Sequence, residues 1–138
     1  MQRLVIDTNV ALDLLLFRDP AVAGLATQLT SGALAWIATG AMRDELARVL
    51  GYPQIARAVA HRAGGDAGIV LDAFDARVRR VEPAPKAPFT CGDADDQMFV
   101  DLAVAHRAVL LSKDREVLRM ARRLARLDVR TLRAWPME

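Results

Sequence analysis

Residues 3–17 read RLVIDTNVALDLLLF. The first five, RLVID, are a short apolar, β-branched run of the kind that makes a strand buried on both faces. An acid, Asp7, closes the run. TNVALDLLLF then reads as a helix, with Thr8 or Asn9 as its N-cap. A strand that ends on a carboxylate and turns at once into a helix is the opening of a βαβ unit.

Outward from this stretch the alternation continues. DPAVAGLATQLTSG (19–32) reads as a helix capped by Asp19, with Pro20 in its first turn and Gly32 at its stop. LAWIA (34–38) is a second strand. TGAMRDELARVL (39–50) is a helix ended by GYP, and PQIARAVAHRAGG gives another between Pro53 and Gly64. DAGIVLDAFDARVRR (66–80) is a helix, with VEP after it as a brief strand. EPAPKAPFTCG (82–92) is rich in proline, but too little chain follows to form a second domain, so it reads as an ordered connection. DADDQMFVDLAVAHRA (93–108) is a helix with an acidic start. VLLS (109–112) is a buried strand, KDREVLRMARRLARL (113–127) a helix and DVRTLRAW (128–135) a last strand. The expected fold is α/β: a three-layer α/β/α domain over residues 1–138 with a central, mostly parallel sheet. Ligands in such folds bind at the carboxyl ends of the strands, near a switch in strand order. Asp7 stands at such an end.

The chain is 53% apolar and 26% charged, a balance that folds rather than stays disordered. A net charge of +2 with a pI near 9.2 permits contact with a polyanion without demanding it. The single Cys91 excludes an internal disulfide framework and fits a reducing compartment. The N-terminal apolar stretch is interrupted by Asp7, Asn9 and Asp13 and lacks a small-residue cleavage site, so no signal peptide is expected. No run of about twenty apolar residues could span a membrane, and a cytoplasmic protein is expected. There is no glycine-rich phosphate loop and no G-x-S-x-G elbow, and His61 and His106 lack matching ligand spacing.

What remains is a set of acids. Asp114 lies two residues past the VLLS strand and would serve equally as a helix N-cap; Ser112 ends that strand. At about 100° per helical residue, Asp96 lies within about 60° of Phe99, Val100 and Ala103, on an apolar side. Asp101 falls about 140° from it and Asp95 about 100° the other way, so neither shares its face. Asp93 and Asp95 read as acids favoured by a helix N-terminus. Glu45 borders the apolar stripe of Met42, Leu46, Val49 and Leu50, and pairing with Arg48 or Arg43 is its plainer role. Asp44 points to solvent. Asp13, nearly two helical turns beyond Asp7, reads as solvated or capping. If Asp7, Glu45, Asp96 and Asp114 converge, they repel and raise one another's pKa, and a hard divalent cation such as Mg²⁺ or Mn²⁺ removes that conflict.

VIDTNV, Glu45 in DELARVL, and Asp96 and Asp114 in DDQMFVDLAVAHRAVLLSKD together resemble a PIN domain from Leu4 to about Val117. The DADD and LLLFRDP stretches look most like the branch of toxins of toxin–antitoxin systems. That resemblance implies a Mg²⁺- or Mn²⁺-dependent ribonuclease acting on RNA. It implies Asp7, Glu45, Asp96 and Asp114 as the acidic quartet, with Asn9 and Ser112 in support. It further implies a cognate antitoxin protein and a homodimer. Members of the branch often carry Asp-Pro-Asp-Asp where this chain has DADD, which leaves Asp93 as a cap or a supporting group.

On that reading, Asp7 and Asp96 hold a first ion, Glu45 binds it directly or through water, and Asp114 holds a second ion or positions the attacking water. Lys113 and Arg115 flank Asp114 and are the candidate RNA contacts. Arg119, Arg122, Arg123 and Arg126 share one helical face, and residues 76–80 add a second basic cluster. Aromatic stacking is expected to be minor, given two Trp, one Tyr and four Phe. The rival readings are a catalytically weak module that binds RNA or protein and a housekeeping RNA-processing nuclease. A receiver domain lacks its acidic pair and its mid-sheet acid here, and a D-x-D phosphatase fails at Asn9.

Overall fold

Strand β1 (Gln2–Ile6) becomes the centre of a five-stranded sheet of order β3-β2-β1-β4-β5, with β2 (Leu34–Ala38), β3 (Val78–Arg80), β4 (Val109–Leu111) and β5 (Thr131–Leu132). The computed structural model describes residues 2–135; Met1 and residues 136–138, the ends of the expected 1–138 domain, lie outside the described residues. Every strand pairing is parallel, so the expected mostly parallel sheet is wholly parallel among the described residues. Leu4 stands opposite both Trp36 and Val109, and Ile6 opposite Leu111.

Successive strand side chains point to opposite faces, so a strand buried at every residue is covered on both. All of β2 and β4 is buried, as are Leu4, Val5 and Ile6. Helices supply the cover. Helix α2 (Ala23–Ser31) packs on β2, α6 (Gln97–His106) on β1 and β4, and α8 (Ala121–Ala125) against β5. Helices α3 (Gly40–Leu50), α4 (Pro53–Arg62) and α5 (Ala67–Arg77) pack mainly on one another and on the turn that follows α1 (Thr8–Leu12). The three-layer α/β/α expectation holds. Trp36, the largest fully buried side chain, meets Phe74 edge-on with ring centres 5.3 Å apart.

Several boundaries differ from the sequence reading. The N-cap of α1 is Asp7, whose Oδ1 accepts the Val10 amide at 2.9 Å, and not Thr8 or Asn9, which lie inside the helix. After one turn α1 widens into a π-helical turn (Asp13–Phe17), which keeps the consecutive Leu14, Leu15 and Leu16 all buried. Asp19 caps a short 3₁₀ turn (Pro20–Val22) ahead of α2. Helix α5 stops at Arg77 rather than Arg80, because Val78 and its successors take the free edge of β2; β3 is therefore Val78–Arg80 and not VEP. Backbone pairing to a waiting edge outweighs a weak helix preference there. The helix expected over 113–127 is two, α7 (Arg115–Leu118) and α8, and Val117, Met120 and Leu124 are buried on their inner side. The last strand shrinks to Thr131–Leu132.

The chain runs from β1 outward to β2 and β3, then crosses back to β4 and β5 on the other side. Strand order thus reverses between β1 and β4, and Asp7 follows the one while Ser112 and Asp114 follow the other.

Candidate active site

Across that reversal Ser112, fully buried, donates its hydroxyl to Asp7 Oδ2 at 2.6 Å and accepts the Asp114 amide at 3.0 Å. One hydroxyl therefore ties the ends of β1 and β4 together and fixes both acids. Asp7 is 3% exposed, and its Oδ1 caps α1. Burial pushes the Asp7 carboxyl above the usual range; the bonds from Ser112, Val10 and the Lys113 amide, with the Lys113 charge, pull partly back.

Glu45 projects from α3, whose N-cap is Thr39. Its partner is the Thr8 hydroxyl, which donates to Oε2. The pairing with Arg43 expected as its plainer role does not form, because Arg43 makes a two-pronged bond to Asp75 instead. Burial raises the Glu45 carboxyl; the Thr8 bond and Arg48 lower it, while Asp95 and Asp7 add to the rise.

Asp93, Asp96 and Asp114 each offer a carboxylate oxygen, all within 4.8 Å of one another. Asp93 Oδ1 accepts the Asp95 amide at 2.9 Å, and Asp114 Oδ1 accepts those of Glu116 and Val117 at 2.8 and 3.3 Å. Each thus spends one oxygen on a turn or helix start and keeps the other. Asp96 caps nothing. Its carboxyl is pushed up to about 7, by burial first and then by the charges of Asp114, Asp93, Asp7 and Glu45. The four acids of the quartet meet at one cleft of about 330 Å³, whose lining also includes Thr8, Asn9, Asp93 and Asp95.

Two placements depart from the helical wheel. Residues Ala94–Asp96 form a 3₁₀ turn ahead of α6, so α-helical spacing does not apply, and Asp95 lines the cleft instead of turning away. Asp13 is neither solvated nor capping. Its side chain is 14% exposed and pairs with Lys113 at 2.6 Å. Lys113 thus carries its charge onto Asp13, while Arg115 is exposed beside Asp114. Arg119 pairs with Glu116, Arg123 lies over the Phe89 ring, and the break before α8 divides the basic face. Sequence reasoning missed Thr8 as the group holding Glu45; a hydroxyl next to a strand-end acid was the available signal.

The donor set is oxygen only. Carboxylates this close, one of them half-neutral near pH 7, suit a small hard cation and repel anything negative. These residues fit Mg²⁺ or Mn²⁺.

A family model described as PIN domain matches residues 3–116. A solved structure, VapBC2 from Rickettsia felis bound to a DNA fragment from its promoter, is similar in fold. It is 13% identical, with a TM-score of 0.63 over 94% of this chain and 98% of that one. No curated protein matches the chain. Among the described residues no helix is long and apolar enough to cross a membrane.

Proposed function

The chain belongs to the PIN-domain family, and from that premise we propose that it is a Mg²⁺- or Mn²⁺-dependent endoribonuclease acting as the toxin of a toxin–antitoxin pair. The observation that carries the proposal is the triplet of carboxylate oxygens of Asp93, Asp96 and Asp114 within 4.8 Å, beside Asp7 and Glu45. Asp93 takes a larger part than the family resemblance gave it. Asp93, Asp96 and Asp114 would hold a cation, with Asp7 and Glu45 at its flank.

When bound, such an ion activates a water and neutralises charge on the phosphodiester being cleaved. The chain's own residues prepare for that. Ser112 fixes the Asp7 carboxylate and Thr8 the Glu45 carboxylate, so both stay aimed at the cleft when empty of substrate. Asp96, whose carboxyl is pushed up to about 7, loses its proton when positive charge arrives. Asn9 stands exposed at the lip, where its amide can bond a phosphate oxygen.

The test is Asp96→Asn. RNA cleavage with Mn²⁺ should fall by about a hundredfold or more, since such charge stabilisation is worth several kcal/mol. Undiminished cleavage by a clean preparation would sink the proposal. Failure of the wild-type chain to bind Mn²⁺ in calorimetry would favour a module that only binds RNA or protein.

The fold likeness to VapBC2, which was solved bound to a DNA fragment from its promoter, supports a cognate antitoxin as partner; a homodimer of this chain is part of the same proposal. One domain over 1–138, working in the cytoplasm where RNA is accessible, completes the reading. A small DNA-binding protein encoded next to this chain, co-purifying with it, is the expected finding; an isolated gene would favour housekeeping RNA processing.

A further inference from the structure

Asn9 and Asp114 line two depressions, not one. Beyond them, away from the acids, lies a second hollow of about 570 Å³ with Lys113, Arg115, Arg119 and Arg133 in its wall. Arg115 comes from the start of α7 and Arg133 from just after β5, so the hollow exists only because β5 docks beside β4. Lys113 and Arg119 are paired to Asp13 and Glu116. Arg115 and Arg133 are exposed and form no ion pair among the described residues. Their charge is available.

The acidic cleft has a different far wall. Tyr52, the chain's one tyrosine, stands there 47% exposed, with Gln54 and Ile55 near it. Its backbone is fixed: the Tyr52 amide donates to Val49 O at 3.0 Å, its carbonyl accepts the Ala56 amide at 2.7 Å, and Pro53 follows as the first residue of α4. The ring is presented by a rigid corner and is about half exposed.

Acids alone would hold an ion but push a polyanion away. Two arginines without ion pairs among the described residues on one side and a half-exposed aromatic ring on the other supply what they lack. We propose that single-stranded RNA crosses the site with its backbone on Arg115 and Arg133 to one side of the scissile phosphate and a base stacked on Tyr52 to the other. The proposal rests on the nuclease reading and gives it a direction. A duplex keeps its bases stacked on each other and cannot use Tyr52 without opening.

Binding can be read without cleavage, by anisotropy of a labelled single-stranded RNA on the full chain carrying Asp96→Asn, with a chelator present. Tyr52→Ala should weaken binding about tenfold or more, whereas Tyr52→Phe should not. Arg115→Ala and Arg133→Ala should each lower the slope of log affinity against log salt by about 0.7. A duplex of the same sequence should bind more weakly and ignore Tyr52→Ala. Equal affinity for Tyr52→Ala and its parent, or an unchanged salt slope in both arginine variants, overturns the proposal. So does a poly-glutamate peptide that competes as well as unlabelled RNA, since the hollow would then suit an acidic protein. The nuclease reading fails separately: a wild-type chain that binds this strand but leaves it whole with Mn²⁺ is a binding module, and the strand path stands.

Discussion

Asp7, Asp93 and Asp114 show why capping and ligation are poor alternatives to weigh against each other. A carboxylate has two oxygens, and in each of these one serves a backbone amide while the other stays free or takes a side-chain hydroxyl. In the sequence, Asp114 reads as either a cap or a site acid; in the fold its cap is what aims it. Asp7, Glu45, Asp96 and Asp114 were legible because each stood at a strand end or beside an apolar stripe. Asp95 was not, because a 3₁₀ turn leaves no periodic trace in three residues. Ser112 is the sharpest test at this scale. Ser112→Ala leaves the Asp7 carboxylate and the Asp114 amide without their shared partner, in a fully buried place. Unfolding free energy by denaturant titration should drop by about 1–3 kcal/mol. The lost bond also removes the largest influence that lowers the Asp7 carboxyl, so the acid limb of the activity profile should move to higher pH.

Among the elements, the proline-rich connection over 82–92 is held by one helix. Asp101 on α6 accepts the Ala87 amide and the Gln97 side-chain amide, both at 2.8 Å. Gln97 in turn accepts the Cys91 amide at 2.6 Å and donates to Phe89 O at 3.2 Å. Asp101 does not line the cleft with Asp96, and its side of α6 carries the segment that delivers Asp93 there. Asp101→Ala should cost about 1–2 kcal/mol and speed amide exchange at Ala87 and Cys91, while Asp101→Asn should recover part of both. Element types were legible in the sequence because strands and helices differ in period. The split between α7 and α8 was not, since Val117, Met120 and Leu124, all buried, equally fit the inner face of one continuous helix.

For the molecule as a whole, the site is an electrostatic cost borne by the fold. Asp7, Glu45 and Asp96 all hold protons more tightly when folded, Asp96 up to about 7. Stability from a group with a raised folded pKa is complete below its unfolded value and is lost as pH rises through the folded one. The metal-free protein should therefore melt at higher temperature near pH 5 than near pH 7.5, a difference of direction that Asp96→Asn should shrink. Asp75, held low by Arg43, acts in the opposite sense only below the ordinary carboxylate range, outside this window; His106, held low by burial and then by Arg3, opposes the trend within it and offsets part of the difference. Added Mn²⁺ should raise the melting temperature most at the higher pH, where the acids are already ionised. A metal-free melting temperature that falls on going from the higher to the lower pH would contradict this account.

The bond between Ser112 and Asp7 joins residues 105 apart in the chain. It also sets a clock. A chain emerging in order exposes Asp7 first, yet nothing can meet it across the β1–β4 reversal until β4 has been made and has docked. At about 5–20 residues per second, that leaves an interval of about 5–20 s in which the growing protein has no site. If the proposed ribonuclease reading holds, the growing protein cannot cut RNA before the segment that carries Ser112 and Asp114 has been made.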